Sequence, residues 1–342
     1  MRVPRLIRSY IIAPSDPAMT TNKKTARSSA RVYMQRLLAW LSSFEYFVKL
    51  QQVFQNIMIN VVAVGPVPRH VSFIMDGNRR YAKKMGMPLK KGHEAGGITL
   101  LSLCYVLRKM GVRCVSAYAF SIENFNRPAE EVDALTNMFS VKLDEFARRA
   151  KDYKDPLYQS KLRIVGDHSL ISEDMRKKIK EVEQLTSDGE DFTLYICFPY
   201  TARNDIHHSM QSSIELWTKS NLDLRQLKIS DFTSNMYLDQ YSDKCDLLIR
   251  TSGHLRLSDY MLWQVHENAT IKFSPALWPD FGFLDLYLMM LHWSFFTTIQ
   301  KFKKSTMQKT PLRFWNRKHS SKCCFELLPT APIAISITGE HE

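Results

Sequence analysis

Three short stretches of this 342-residue chain carry the residue types that anion chemistry needs. The first follows an apolar run, His70-Val-Ser-Phe-Ile-Met75, which stops at Asp76-Gly77-Asn78-Arg79-Arg80-Tyr81. One carboxylate together with phosphate oxygens is the usual way of holding Mg2+. Two guanidiniums beside it match phosphate oxygens in pairs, and a glycine lets the backbone approach an anion closely. The second stretch runs from Tyr118 to Pro128, where Ser121, Glu123, Asn124, Phe125 and Arg127 crowd ahead of a helix start, a place whose free N–H groups attract anions. The third is Asp246-Leu-Leu-Ile-Arg250-Thr-Ser-Gly253, followed by Arg256-Leu257-Ser258. Two arginines six apart with Ser and Gly between them form a second phosphate cradle. Taken singly, each stretch has a plainer reading: Asp-Gly-Asn as a turn, the second block as an elaborate helix cap, Arg250 as a surface arginine.

The elements around these stretches decide between the readings. Apolar runs predict strands near 71–75, 113–119, 162–165, 192–198, 246–250 and 270–273. Helical periodicity predicts helices near 93–110, 128–152, 172–187, 201–219 and 283–303. Gly111 closes the first of these helices, Pro128 with Glu130 and Glu131 opens the next, and Ser172 with Glu173 and Asp174 opens the third. Strands alternating with helices predict an α/β fold: a single domain whose central, mostly parallel sheet of about six strands is flanked by helices. Such sheets bind ligands at the carboxyl ends of their strands, and all three stretches lie there.

Composition narrows the function. The net charge is +13, yet residues 1–40 hold eight Lys or Arg against Asp16 alone, and residues 301–342 hold eight against three Glu. The 260 residues between are nearly neutral. A nucleic-acid enzyme spreads its excess over a binding face, so no nucleic-acid partner is expected. The six cysteines form no C-x-x-C pair and are too sparse for a disulfide scaffold. No P-loop, dinucleotide fingerprint or H-E-x-x-H motif is present. Residues 1–30 read as a basic disordered N-terminus. Residues 31–64 form a helical segment in which Leu37, Leu41, Phe44, Val48, Val53 and Ile57 recur at approximate helical spacing. Glu45 and Lys49 interrupt it, so it does not span a membrane. It reads as an amphipathic helix on a membrane surface or as a helix packed on the core; the flanking basic tails favour the membrane. Residues 65–304 are the expected catalytic domain, and 305–342 a basic, loosely ordered tail.

The blocks His70–Arg80, Gly92-His93, Tyr118-Ala-Phe-Ser-x-Glu-Asn-x-x-Arg-Pro128, Asp246-x-x-Ile-Arg-Thr-Ser-Gly253, Arg256-Leu-Ser258 and Leu262-Trp-Gln264 resemble the signatures of the cis-prenyltransferases, the undecaprenyl diphosphate synthase family. The chain is most like a yeast-type dehydrodolichyl diphosphate synthase catalytic subunit. The D-D-x-x-D pairs of the trans-prenyltransferases are absent. The resemblance implies cis elongation of farnesyl diphosphate by isopentenyl diphosphate, giving long-chain polyprenyl diphosphate for dolichol and protein glycosylation. It also implies a hydrophobic tunnel for the product and Mg2+ as cofactor. By resemblance Asp76 is catalytic and holds the metal; Gly77, Asn78, Arg79, Arg80, Tyr81 and His93 line the allylic diphosphate site. Ser121, Asn124, Phe125 and Arg127 orient the substrates and assist proton loss, with Ser121 and Asn124 catalytic and Glu131 beside them. Arg250, Arg256, Leu257 and Ser258 form the isopentenyl diphosphate site. Where bacterial members carry a second metal-holding Glu, this chain has Ala269 or Thr270, so Asp76 alone is assigned to the metal. Thr stands near the C-terminus where an R-x-G tail would have Arg, so a homologous noncatalytic subunit is expected to supply that tail. The implied location is the cytosolic face of the endoplasmic reticulum membrane, or lipid droplets. The competing expectation is a noncatalytic family subunit that stabilises a synthase.

Overall fold

The computed structural model describes residues 45–309, except 154, 156, 190, 191, 221, 222, 242, 243 and 268. The expectations for residues 1–44 and 310–342 lie outside the described residues. The predicted strands all form, with ends within about two residues of expectation: β1 (His70–Ile74), β2 (Cys114–Tyr118), β3 (Ser160–Val165), β4 (Phe192–Cys197), β5 (Leu247–Arg250) and β6 (Thr270–Phe273). They make one six-stranded sheet in the order β3-β4-β2-β1-β5-β6, and every pairing is parallel. The chain therefore passes from β1 to its neighbour β2, skips to the edge strand β3 and comes back to place β4 between β2 and β3. It then returns to the other side of β1 with β5 and β6. That reversal puts the carboxyl ends of β1, β2 and β5 next to one another.

The strands alternate sides as their period of two requires. Val71, Phe73, Val115, Ala117, Leu247 and Ile249 face one core, which is completed by buried residues of five helices. These are α1 (Glu45–Val64), α3 (Leu89–Met110), α4 (Ala129–Lys151), α5 (Glu173–Leu185) and α9 (Phe283–Lys309). Ile74, Cys114, Tyr195, Cys197 and Leu248 face a second core, to which α6 (Ala202–Lys219) and α8 (Leu262–Val265) contribute. Cys104, Cys114, Cys197 and Cys245 are free thiols buried in these cores.

The helix punctuation acts as expected. Gly111 caps α3 at φ 95°, and the Ser172 hydroxyl accepts from the Met175 N–H at the start of α5. α9 runs to Lys309, six residues beyond the expected end. Three short helices were not expected: α2 (Asn78–Lys84), α7 (Ile229–Ser234) and α8. The described half of the N-terminal helical segment divides its apolar residues between two faces. On α1, Ile59 and Val62 are buried, while Leu50, Val53, Phe54, Ile57, Val61 and Val64 point outward. No helix among the described residues is long and apolar enough to cross a membrane.

The two sheet edges differ. On β3 the outward Leu162 N–H donates to Thr186 Oγ1 (3.2 Å) and the Ile164 N–H to Glu183 Oε1 (2.7 Å), both from α5. No side chain covers β6 in this way among the described residues. Its Thr270, Ile271 and Lys272 are partly exposed and Phe273 is exposed.

Candidate active site

The expected turn at Asp76-Gly77-Asn78 feeds a helix rather than a hairpin. Gly77 adopts φ 114° as the residue before α2, in the left-handed region that favours glycine. It also has no room for a side chain: a Cβ there would lie 3.1 Å from Leu277. Backbone on both sides fixes Asp76, whose carbonyl accepts from the Trp278 N–H (3.0 Å) and from Thr251 Oγ1 (2.8 Å). Trp278 is fully buried, and its indole N–H donates to the Gly96 carbonyl (2.8 Å). The carboxylate therefore stands on a rigid base at the end of β1.

Because β5 lies beside β1, Arg250 and Asp76 meet. Arg250 Nη2 donates to Asp76 Oδ2 at 3.0 Å, and Nη1 donates to Ser258 Oγ at 2.8 Å and to the Arg256 carbonyl. The Arg250 side chain is only 3% exposed. Its Nε has no partner in the structure, as is true of Asn78 Oδ1. Arg80, one helical turn beyond Asp76, sits 3.7 Å from Asp76 Oδ1 and donates to Ser252 Oγ (2.6 Å). His254 Nε2 lies 3.8 Å from Asp76 Oδ2. Burial pushes the Asp76 carboxyl up, but hydrogen bonds from Ser252 and Arg250 and the charges of Arg250 and Arg80 outweigh it and hold the group below the ordinary carboxylate range. Asp76 is thus a carboxylate at neutral pH.

A second group gathers between α2, α3 and the loop after β2. Ser121 caps a short 3-10 turn, Ile122–Asn126, by accepting from the Glu123 N–H (3.2 Å). Arg127 bridges Asn124 Oδ1 (3.0 Å) and Glu131 Oε1 (2.8 Å), and Arg79 reaches the same Glu131 oxygen at 3.6 Å. His93 lies beside them on α3. Burial lowers its pKa, Arg127 and Arg79 lower it further, and Glu131 only partly opposes them. Two guanidiniums share one carboxylate, so the group keeps surplus positive charge.

The backbone between Ser252 and Met261 is unusual. Ser252, Ser258, Asp259 and Met261 have φ between 49° and 76° without being glycine. Such conformations persist where surrounding contacts enforce them, and they gather at ligand clamps.

Most of the sequence-predicted residues converge. Asp76, Arg80, Arg250 and Ser258 form one cluster, with the Arg256 backbone inside it and the Arg256 side chain exposed. Arg79, His93, Asn124 and Arg127 form the other. Gly77 and Asn78 join the two. Tyr81 is half-buried on α2. Phe125 is partly exposed and meets Phe120 edge-on at 5.0 Å. Leu257 packs against the second core instead of standing among the charges. Thr270, at one of the two positions considered for a second metal acid, opens β6. Ser252 was read from sequence as part of the cradle between the two arginines, whereas Thr251, His254 and Trp278 were not singled out. Thr251 and His254 lie between the same arginines, and that position was the available signal. Trp278 gave none, because its role rests on contacts almost 200 residues away.

Three neighbouring strand ends of this α/β fold thus bring two carboxylates, Asp76 and Glu131, against four guanidiniums, a balance of charge that suits an anionic ligand. Comparison with known proteins places it more closely. The prenyltransferase family profile for undecaprenyl diphosphate synthase matches residues 74–299. The dehydrodolichyl diphosphate synthase complex subunit SRT1 of Saccharomyces cerevisiae is 54% identical, with 100% of each chain covered. The human dehydrodolichyl diphosphate synthase complex subunit DHDDS is 33% identical over 74% of each chain. The crystal structure of lavandulyl diphosphate synthase from Lavandula x intermedia, in complex with dimethylallyl diphosphate, superposes with a TM-score of 0.60 at 26% identity. It covers 67% of this chain and 95% of that one. The chain belongs to the undecaprenyl diphosphate synthase family and is a cis-prenyltransferase homologue of the dolichol type.

Proposed function

We propose that this chain is a catalytic subunit that condenses isopentenyl diphosphate onto farnesyl diphosphate in the cis configuration to make long-chain polyprenyl diphosphate. The observation that carries the reading is the buried Arg250 guanidinium, held 3.0 Å from an ionised Asp76 with its Nε still free of a partner. A noncatalytic scaffold gains nothing from burying a charge beside an exposed rim, because an ion pair of this kind contributes little net stability.

The residues divide the work. Arg79, Arg127 and His93 bind the allylic diphosphate, whose negative charge grows as its C–O bond breaks. Fixed positive charge there stabilises the leaving group. Arg250, Arg256 and Ser258 hold the isopentenyl diphosphate, and Ser121 with Asn124 lies where the proton lost after condensation leaves the substrate. Mg2+ fits the donor set: one carboxylate on a rigid base, with the remaining ligands left to diphosphate oxygens and water. No group of three His, Cys, Asp or Glu suited to a metal occurs among the described residues, so a cation held by Asp76 takes its other ligands from substrate. When bound, Mg2+ neutralises charge on the diphosphates.

Each added five-carbon unit gains roughly 3–4 kcal/mol on leaving water, so the growing chain needs an apolar refuge. Val132, Leu135 and Phe139 of α4 and Leu101 of α3 are only partly buried against the core and offer apolar surface for it. The outward stripe of α1 and the basic tails suit an anionic membrane that receives the product. A homologous partner subunit is part of this reading, since the relatives named above are complex subunits.

The test is incubation of the chain, alone and with a candidate partner subunit, with farnesyl diphosphate, labelled isopentenyl diphosphate and Mg2+. The expected result is polyprenyl product from the complex and its loss, by about three orders of magnitude, with Asp76→Ala. Unchanged synthesis with Asp76→Ala would assign catalysis to the partner.

A further inference from the structure

Arg203 is the second residue of α6 and its side chain is 74% exposed. An exposed arginine is ordinarily inert, but this one joins the loop after β5 to the loop after β2 by their acidic side chains, beside the inner contact that Tyr118 Oη makes with the Ser258 carbonyl (3.3 Å). Its Nε donates to Asp259 Oδ2 at 2.8 Å, its backbone N–H to Asp259 Oδ1 at 3.2 Å, and its Nη2 lies 3.5 Å from Glu123 Oε1. The neighbouring Ala202 N–H donates to the Asp259 carbonyl at 2.7 Å. The first turn of α6 therefore holds Asp259 by side chain and backbone together, and the Asp259 side chain is 13% exposed.

What hangs on these contacts is the diphosphate cradle. Asp259 and the preceding Ser258 both have left-handed φ, 55° and 53°, which non-glycine residues keep only when neighbours enforce it. Ser258 carries the hydroxyl that receives Arg250 Nη1. At the other end Glu123 lies in the 3-10 turn between Ser121 and Asn124 and accepts from Asn126 Nδ2 at 3.4 Å. A continuous series of contacts thus runs from Asn124 through Glu123, Arg203, Asp259 and Ser258 to Arg250.

We propose that Arg203 is a positioning residue that clamps the loop after β5 to the loop after β2, setting the Arg250–Ser258 cradle for a diphosphate relative to Ser121 and Asn124. This rests on the reading of the site given above. An exposed ion pair adds little to stability, so the effect belongs in ligand affinity and not in folding.

The experiment uses the full chain with its partner subunit. Isopentenyl diphosphate affinity is measured by calorimetry, alongside KM for both substrates and thermal unfolding. Arg203→Ala is expected to weaken isopentenyl diphosphate binding about tenfold, the scale of one charged hydrogen bond. KM for that substrate rises in step, KM for the allylic substrate changes less, and the unfolding temperature stays within about 2 °C. Arg203→Lys, which keeps the charge but not the fork, falls between. The double variant Arg203→Ala with Asp259→Asn is expected to be no weaker than the worse single variant. Unchanged affinity in Arg203→Ala, or additive losses in the double variant, overturns the clamp. Wild-type protein that binds isopentenyl diphosphate without turning it over overturns the catalytic reading instead and leaves the binding comparison intact. Wild-type protein that does not bind it overturns both.

Discussion

The carboxyl ends of the six parallel strands carry two polar clusters, and only one of them has the character of a binding site. At β3 a polar cleft is lined by Arg163, Asp167, His168, Glu183, His208, Tyr237 and Asp239, among others. Several of its groups satisfy one another. Asp167 accepts from the Ser169 N–H (3.1 Å), from Ser169 Oγ and from Asn204 Nδ2 (3.1 Å). Glu183 accepts from the edge of β3. Tyr237 donates to Asn204 Oδ1 (3.1 Å) and stacks on His208 at 4.5 Å. His168 Nε2 is a buried side-chain atom there without a partner. At β1, β2 and β5 the balance is reversed. Two carboxylates, Asp76 and Glu131, face Arg79, Arg80, Arg127 and Arg250, and left-handed residues crowd one loop. Lying at a strand end is thus not sufficient. What separates the clusters is the sign of the charge left over: acidic at β3, where Asp167, Glu183 and Asp239 outnumber Arg163, and basic at β1, β2 and β5.

The comparison can be broken most directly at Arg250. Arg250→Ala removes the buried guanidinium and is expected to lower kcat/KM for isopentenyl diphosphate by about a thousandfold, measured in the labelled-substrate assay. A loss under tenfold would show the surplus charge to be incidental. The matching change in the other cluster, Glu183→Ala, leaves the Ile164 N–H without its acceptor. It is expected to cost about 1–2 kcal/mol of unfolding stability in urea titration, with synthesis unchanged. Loss of synthesis at unaltered stability would make the second cluster functional. The smallest effect sharpens the electrostatics. The folded pKa of His93 lies below the ordinary value, first through burial and then through Arg127 and Arg79. Its contribution to stability is therefore present above pH 6.5 and lost as pH falls through the folded pKa. Inorganic pyrophosphate, by offsetting those guanidiniums, should raise the His93 pKa, read from its imidazole proton shifts in an NMR titration. No movement would place the anion elsewhere.

How much of this was legible follows from what each feature depends on. The strands are apolar runs with polar stops, so their positions could be read locally, as could Gly111 and Ser172 at helix ends. The acid and the arginines were legible because each stands at such a stop. α2 was not, since Asp76-Gly77-Asn78 satisfies the pattern of a turn, and the residues packed against it, Thr251, Leu277 and Trp278, come from distant parts of the chain. Nor was the adjacency of β1 and β5, which brings Asp76 to Arg250 across 174 residues. Strand order is a property of the whole sheet. The direction of Leu257 was illegible for a similar reason: proximity in sequence to Arg256 and Ser258 says nothing of the side it faces, and its apolar side chain packs against the second core. The link of Arg203 to Asp259 leaves no local trace in either segment.

The covered edge of β3 has a consequence for how these molecules can stick together. With Thr186 and Glu183 occupying its outward N–H groups, that margin cannot template another extended chain. Among the described residues, a strand added to this sheet, whether in orderly assembly or after damage, therefore finds its open template at β6, on the opposite flank.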